Sequence, residues 1–298
     1  MSRDQQKCLP IICGRDRQTG SHAASFVKSK GRDAYAAAYV TNFVRRLGYK
    51  RVVFKSDNEP ALLALLKVVI DNLPGVEVVP RNSPEGDHAA HGLADIGVRE
   101  AKGQTRVIRS HLESKLGTRL AEDEEILTWI PRHGVNCINR YRIGEDGRTP
   151  EQRRTGRKWK RTVVDFGETV FYRPIARSGG RKEDAEARTK KGVFVGHHER
   201  TGTHLMMTLE GLARGVGIHR LPESQRRNLD FVRSCRGVPW GVRSRKKQVE
   251  RSQGDCTFWP VTSKGMGPPM NVPDARRWRL EVEIRHLTTI LVEQGSLS

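Results

Sequence analysis

No apolar run in the chain approaches the roughly 18 residues that a membrane-spanning helix needs, so an integral membrane protein is excluded and no membrane partner is expected. The opening stretch MSRDQQKCLPIICGRD holds too short an apolar segment for a secretory leader. Cysteine is sparse and odd in number: Cys8, Cys13, Cys137, Cys235 and Cys256, with no CxxC pair and no zinc-finger spacing. That usage reads as reduced thiols in an intracellular protein, not as a disulfide framework. Internal repeats are absent. Acidic residues are in deficit, with 34 Asp and Glu against 54 Lys and Arg, a net charge of +20. Hydrophobic residues make up 36% of the 298 positions, which still excludes collagen-like and wholly disordered chains.

The positive surplus is clustered. RRTGRKWKR gathers Arg153, Arg154, Arg157, Lys158, Lys160 and Arg161 around Trp159, and a second cluster holds Arg243, Arg245, Lys246 and Lys247. Clustered cations favour a polyanionic partner, DNA or RNA first, because each neutralised phosphate releases counterions. Trp159 suits either stacking on a base or anchoring its segment to the core.

The first 150 residues read as hairpin, helix, strand, helix, strand, helix, helix, an α/β arrangement. Residues 9–16 and 21–29 form the hairpin. Ala36, Val40, Phe43, Val44 and Leu47 recur at helical spacing, with Gly48 as the stop. Strand 51–56 precedes a helix opened by Pro60 and closed by Pro74-Gly75, and strand 76–80 follows. A long helix is expected over 87–116, and another over 121–141 with a kink at Pro131. The segments 163–175, 192–202, 203–211 and 213–221 read as short strands of a small barrel. After about residue 224 the chain is polar and weakly patterned, with a flexible stretch at 252–276 and one further helix at 275–294. The expected divisions are a core at 1–150, a basic linker at 151–161, a β module at 162–222 and a basic, largely flexible tail at 223–298.

Asp57 ends a strand and Asp95 lies early in the long helix. A strand-end acid and a helix acid can meet at one sheet edge, where α/β folds bind ligands, and two-metal phosphoryl transfer needs such oxygens. Asp57 equally suits capping of the next helix, and Asp95 by itself reads first as a solvated helix acid. Arg99, Lys102, Arg106 and Arg109 follow Asp95 along one face, either a basic ridge for nucleic acid or an ordinary charged face. Asp87, His88 and His91 could ligate a metal or simply lie on the surface. His197-His198 reads as a polar strand end.

KSDNEPALLALL (55–66) and RNSPEGDHAAHGLADIGVREAKGQTR (81–106) resemble the catalytic core of retroviral and retrotransposon integrases. That family has a strand ending in Asp-Asn, a Ser-Pro loop, and a helix opening on Asn-Gly-x-x-Glu. Here the loop is Ser83-Pro84 and the helix start reads His91-Gly92-Leu93-Ala94-Asp95. GRDRQTG (14–20) resembles the family's second strand. NRYRIGEDGRTPEQRRTGRK (139–158) is similar to the segment leaving the core in copia-like elements, and 163–222 is similar to the β module after it. The resemblance implies an RNase H-like mixed sheet flanked by helices, a small SH3-like barrel, and an origin in a retrotransposon Pol polyprotein. It implies Mg2+- or Mn2+-dependent DNA strand transfer, with Asp57 and Asp95 as catalytic metal ligands. Arg99, Lys102, Arg106, Arg109, Arg157, Lys158 and Lys160 are the implied DNA contacts. It also implies a homo-oligomer and a nuclear rather than cytoplasmic location.

Three departures stand out. Position 95 holds Asp where the family has Glu, and His91 replaces Asn. The family's first catalytic Asp lies on a strand preceding the hairpin, and no such strand is found here, so the chain reads as a truncated, inactive copy. That first strand is central in the family's sheet. Its loss predicts either an unstable core or residues 9–16 sliding beside 51–56 and bringing Asp16 toward Asp57.

Overall fold

The computed structural model describes residues 9–82, 88–161, 163–175, 188–241 and 287–294. The order is β1 (Ile11–Asp16), β2 (His22–Phe26), α1 (Ala34–Leu47), β3 (Arg51–Ser56), α2 (Pro60–Asp71), β4 (Glu77–Asn82) and α3 (His88–Leu116). A 3-10 turn (Glu125–Trp129) leads into α4 (Ile130–Tyr141) and the short α5 (Pro150–Thr155). Then come β5 (Thr169–Pro174), β6 (Lys190–His197), β7 (His204–Thr208), β8 (Gly211–Arg220), α6 (Leu229–Ser234) and β9 (Leu287–Gln294). Among the described residues no helix is long and apolar enough to cross a membrane.

Local chemistry fixes most boundaries. The Asp33 carboxylate accepts from the Ala36 N–H to start α1, and Gly48 ends it at φ 77°, a conformation that glycine adopts without strain. Pro60 occupies the first turn of α2, where a missing N–H costs nothing. Pro131 does the same for α4: it opens a new helix after the 3-10 turn and does not kink a continuous one, because its missing donor falls among the unpaired N–H groups of a helix start. Thr149 and Gln152 form a reciprocal capping box on α5, which runs into the stretch read as linker from residue 151.

The main sheet has the order β2-β1-β9-β3-β4. β1 and β2 are an antiparallel hairpin, and β3 and β4 are parallel. Between them lies β9, parallel to β1 and antiparallel to β3. Residues 287–294 are thus the central strand of the sheet, not the end of a terminal helix, and they pair along both edges. They also displace the expectation that residues 9–16 slide beside 51–56. Asp16 is aligned through Val292 with Phe54, three residues short of Asp57. Its buried carboxylate accepts from the Thr19 N–H, the Thr19 hydroxyl and the Tyr49 hydroxyl, so it closes the β1–β2 turn.

Successive residues of β1 serve opposite faces, as strand geometry requires. Ile12 joins a core with Val52, Phe54 and the apolar sides of α1 and α2. Ile11 and Cys13 join a second core with α3, α4 and Trp129.

β5 to β8 close into a four-stranded antiparallel barrel. Phe194 and Met206 point inside with Val164, Val170 and Tyr172. The alternate residues Val193, Val195, Leu205 and Met207 belong to the α3–α4 core, so the barrel is docked by its β6–β7 side. Val232 and Cys235 enter that same core, and Trp129 donates from Nε1 to the Gly237 carbonyl. The stretch just after residue 224 is therefore packed, not a weakly patterned tail. The three described cysteines, Cys13, Cys137 and Cys235, are free thiols.

Candidate nucleic-acid interface

Asp57 follows β3 directly and is exposed. The residue in the N-cap place of α2 is Glu59, so Asp57 is not the cap. Asp95 is exposed on α3, half a turn before Gly97, whose backbone closes on the Arg15 side chain. Arg15 is aligned through Leu291 with Lys55, two residues before Asp57. Both acids therefore sit on elements that reach the same rows of the sheet. The strand beside β3 adds little to them: Ser56 faces Ile290, and Glu293 faces Val53, four residues back from Asp57. At about 3.3 Å per residue that is roughly 13 Å along the sheet. Among the described residues no group of three or more His, Cys, Asp or Glu could hold a metal ion. Ser83, Pro84 and Asp87, and the side chains of His88 and His91, lie outside the described residues.

The basic face of α3 is only partly open. Ala94, Gly97, Val98, Ala101, Thr105, Ile108 and Leu112 are its buried face. Arg99 and Arg106 are exposed opposite them. Lys102 is half-buried and close enough to Cys13 for its charge to act on that thiol. Arg109 is turned along the helix: Nε donates to Glu113 at 3.0 Å and Nη2 to the Leu120 carbonyl at 3.3 Å.

The basic linker divides in the same way. Arg153 pairs with Asp146, and Arg154 pairs with Glu151. Arg161 donates to the Gly202 carbonyl. The side chains of Arg157, Lys158 and Lys160 are exposed and bond to no described residue. The cluster at 243–247 lies outside the described residues.

Trp159 anchors this segment. The Arg140 guanidinium stacks on its ring at 3.6 Å from the centroid, and the His197 ring meets it edge-on at 5.2 Å. Sequence reading missed Arg140, His197 and His204 as one group, because they come from α4, β6 and β7. Burial and then the Arg140 charge hold His197 down to about 2. Burial, then Arg161 and Arg140, hold His204 down to about 4. His133, packed on Phe166 and Phe194, is held to about 4 by burial and then Arg140. Burial also lowers Arg140 itself to about 10.

No family model matches the chain, and no curated protein matches its sequence. Among solved structures, a chain from the cryo-EM structure of the simian T-cell lymphotropic virus intasome in complex with PP2A regulatory subunit B56 gamma is similar. The TM-score is 0.35 and the identity 14%, over 74% of this chain and 82% of that one.

Proposed function

We propose that the chain is an integrase-like nucleic-acid-binding protein, with an RNase H-like core and an SH3-like barrel, that binds DNA or RNA without strand transfer. The observation that carries the binding is the exposed run Arg157, Lys158 and Lys160, whose side chains have no protein partner among the described residues. Exposed cations without carboxylate partners are free to release counterions from a phosphate backbone. Arg99 and Arg106 on α3 extend the same capacity. The sheet supports the core assignment, since a hairpin and a parallel pair flank one central strand with helices on both faces.

The absence of strand transfer rests on the donor set. Two Mg2+ or Mn2+ ions held roughly 3.5–4 Å apart need several converging carboxylates. Among the described residues no third metal-ligating side chain joins Asp57 and Asp95, and β9 brings Ile290, not an acid, beside the end of β3.

Fluorescence anisotropy with a labelled duplex across a salt series tests the binding. Affinity is expected to fall steeply with salt, and R157A/K158A/K160A to flatten the slope by about 2–3, at roughly 0.9 per phosphate contact. Salt-indifferent binding overturns the proposal. In a strand-transfer assay with Mg2+ or Mn2+, the chain and its Asp57→Asn variant are both expected to give no product. Product from the parent chain alone would show that Asp57 is catalytic.

A further inference from the structure

Several arginines of this protein, buried or partly covered, are answered by carboxylates that are themselves nearly buried. Arg46 and Arg132 share Glu199, and Arg220 and Arg226 share Glu168. Arg140 differs. Its single hydrogen bond to a described residue runs from Nη1 to Nδ1 of His197, at 2.8 Å. The acids whose charge reaches it, Glu151 and Glu199, already pair with Arg154 and with Arg46 and Arg132.

That bond fixes a tautomer. A guanidinium can only donate, so Nδ1 of His197 is the acceptor and carries no proton. The neutral ring then bears its proton on Nε2, and this N–H is buried without a partner, in a residue only 6% exposed. On the Trp159 ring, which meets His197 edge-on, Nε1–H is also buried, near the Tyr141 hydroxyl but completing no hydrogen bond. The Arg161 guanidinium lies 5.6 Å from the Trp159 centroid, so it is within about 9 Å of Arg140 by way of that shared ring. Two guanidiniums, an imidazole N–H and an indole N–H therefore gather around one ring: both N–H groups complete no hydrogen bond, and the guanidiniums meet only neutral acceptors, Nδ1 of His197 and the Gly202 carbonyl, with no carboxylate paired to either among the described residues. Buried donors left unpaired are costly, and a native structure that keeps several in one place needs an acceptor for them. Arg140 and Trp159 are half-buried and Arg161 is exposed, so the group opens to solvent on one side.

We propose that Arg140, Trp159, Arg161 and His197 form a phosphate-binding site, whose ligand is a backbone phosphodiester of the bound nucleic acid. A phosphate offers several acceptor oxygens to a donor set of this size, and Lys158 and Lys160 alternate with Trp159 along an exposed strand of chain suited to the neighbouring phosphates. The chemistry rests on the cluster alone, whereas the source of the phosphate rests on the nucleic-acid-binding reading above.

The test is a pair of titrations of the full chain followed by 1H–15N spectroscopy, one with a 20-nucleotide single-stranded DNA and one with inorganic phosphate. Trp159→Phe assigns the indole N–H, and long-range 1H–15N correlation assigns His197. Both resonances are expected to shift with each ligand, and Arg161→Gln to weaken DNA binding about tenfold without lowering the unfolding temperature. Salt-dependent DNA binding that leaves both resonances in place overturns the site and leaves the nucleic-acid-binding reading intact. Shifts with phosphate but no DNA binding keep the phosphate site and overturn its assignment to nucleic acid. No shift with either ligand overturns the site outright.

Discussion

Cys13 of β1 and Thr289 of β9 lie directly opposite each other in a parallel ladder. Directly opposite residues of neighbouring strands are about 4.8 Å apart, inside the range of Cα separations that a disulfide spans. Thr289→Cys is therefore expected to link to the native Cys13 within one chain. Burial pushes the Cys13 thiol up to about 12, so a catalysed oxidant is needed in place of air. Peptide mapping by mass spectrometry reads the bond. Thr288→Cys, one residue out of register, is the control expected to stay reduced. Equal cross-linking of both would show that residues 287–294 do not hold this register.

Because β9 pairs on both edges, it holds the two halves of the sheet together. A proline at its middle removes an N–H donor and disturbs the ladders on both sides. Ile290→Pro leaves at least one ladder carbonyl unpaired, at about 1–3 kcal/mol each, against a typical net stability of about 5–15 kcal/mol. The measurements are the urea midpoint and amide exchange in β1 and β3. Unchanged protection of residues 11–16 and 51–56 would show that the sheet closes without this strand.

The elements up to Leu116 were legible because their signals are local: the short apolar run of β1, Pro60 at the head of α2, Gly48 behind α1. The four barrel strands were legible from their glycine-bounded runs. β9 was not. LTTILVEQ is rich in β-branched residues, a strand signal, but the charged and mixed residues before it pulled a twenty-residue window toward helix. Its partners lie 234–276 residues earlier, and no local pattern encodes such a pairing. The Trp159 cluster was half legible. The basic run around Trp159 stands out, yet Arg140 looks like any other arginine until α4 packs against the barrel. Asp57 and Asp95 were legible as candidates only. What lies beside them depends on which strand fills the centre of the sheet.

Histidines at the seam between α4 and the barrel set an acid limit on stability. His133, His197 and His204 are all held below the ordinary value of 6.5 by burial and neighbouring arginines. The unfolded chain then binds more protons than the folded one between about 6.5 and 4, so stability rises with pH across that window. The contribution is complete above 6.5 and is lost as pH falls toward about 4. For the half-buried His133 the depression corresponds to no more than about 3 kcal/mol. Urea unfolding at pH 7.5 and at pH 5 should show the loss, and His133→Phe should reduce it. Equal midpoints at the two pH values would mean that these rings are protonated in the folded protein.

Glu168 lies at the mouth of the barrel with its side chain 1% exposed. It accepts from Arg220 through Nε at 2.8 Å and Nη2 at 2.7 Å, which ties the start of β5 to the end of β8. Arg226 Nε lies 3.5 Å away on the other side. The partners are unequal in burial. Arg220 is one-third exposed and can turn to water when its partner is lost, whereas the Glu168 carboxylate cannot. Removing one member of a buried pair strands the other, and the penalty depends on whether the remaining charge can be rehydrated. Arg220→Ala leaves the buried carboxylate with the longer Arg226 contact and is expected to cost about 3–5 kcal/mol. Glu168→Gln removes the buried charge, keeps its shape and frees both arginines toward solvent, so it is expected to cost less, about 1–3 kcal/mol. Chemical denaturation of each variant, with amide exchange in β5 and β8, gives the order. A larger loss for Glu168→Gln than for Arg220→Ala would show that the carboxylate is rehydrated more easily than its 1% exposure allows.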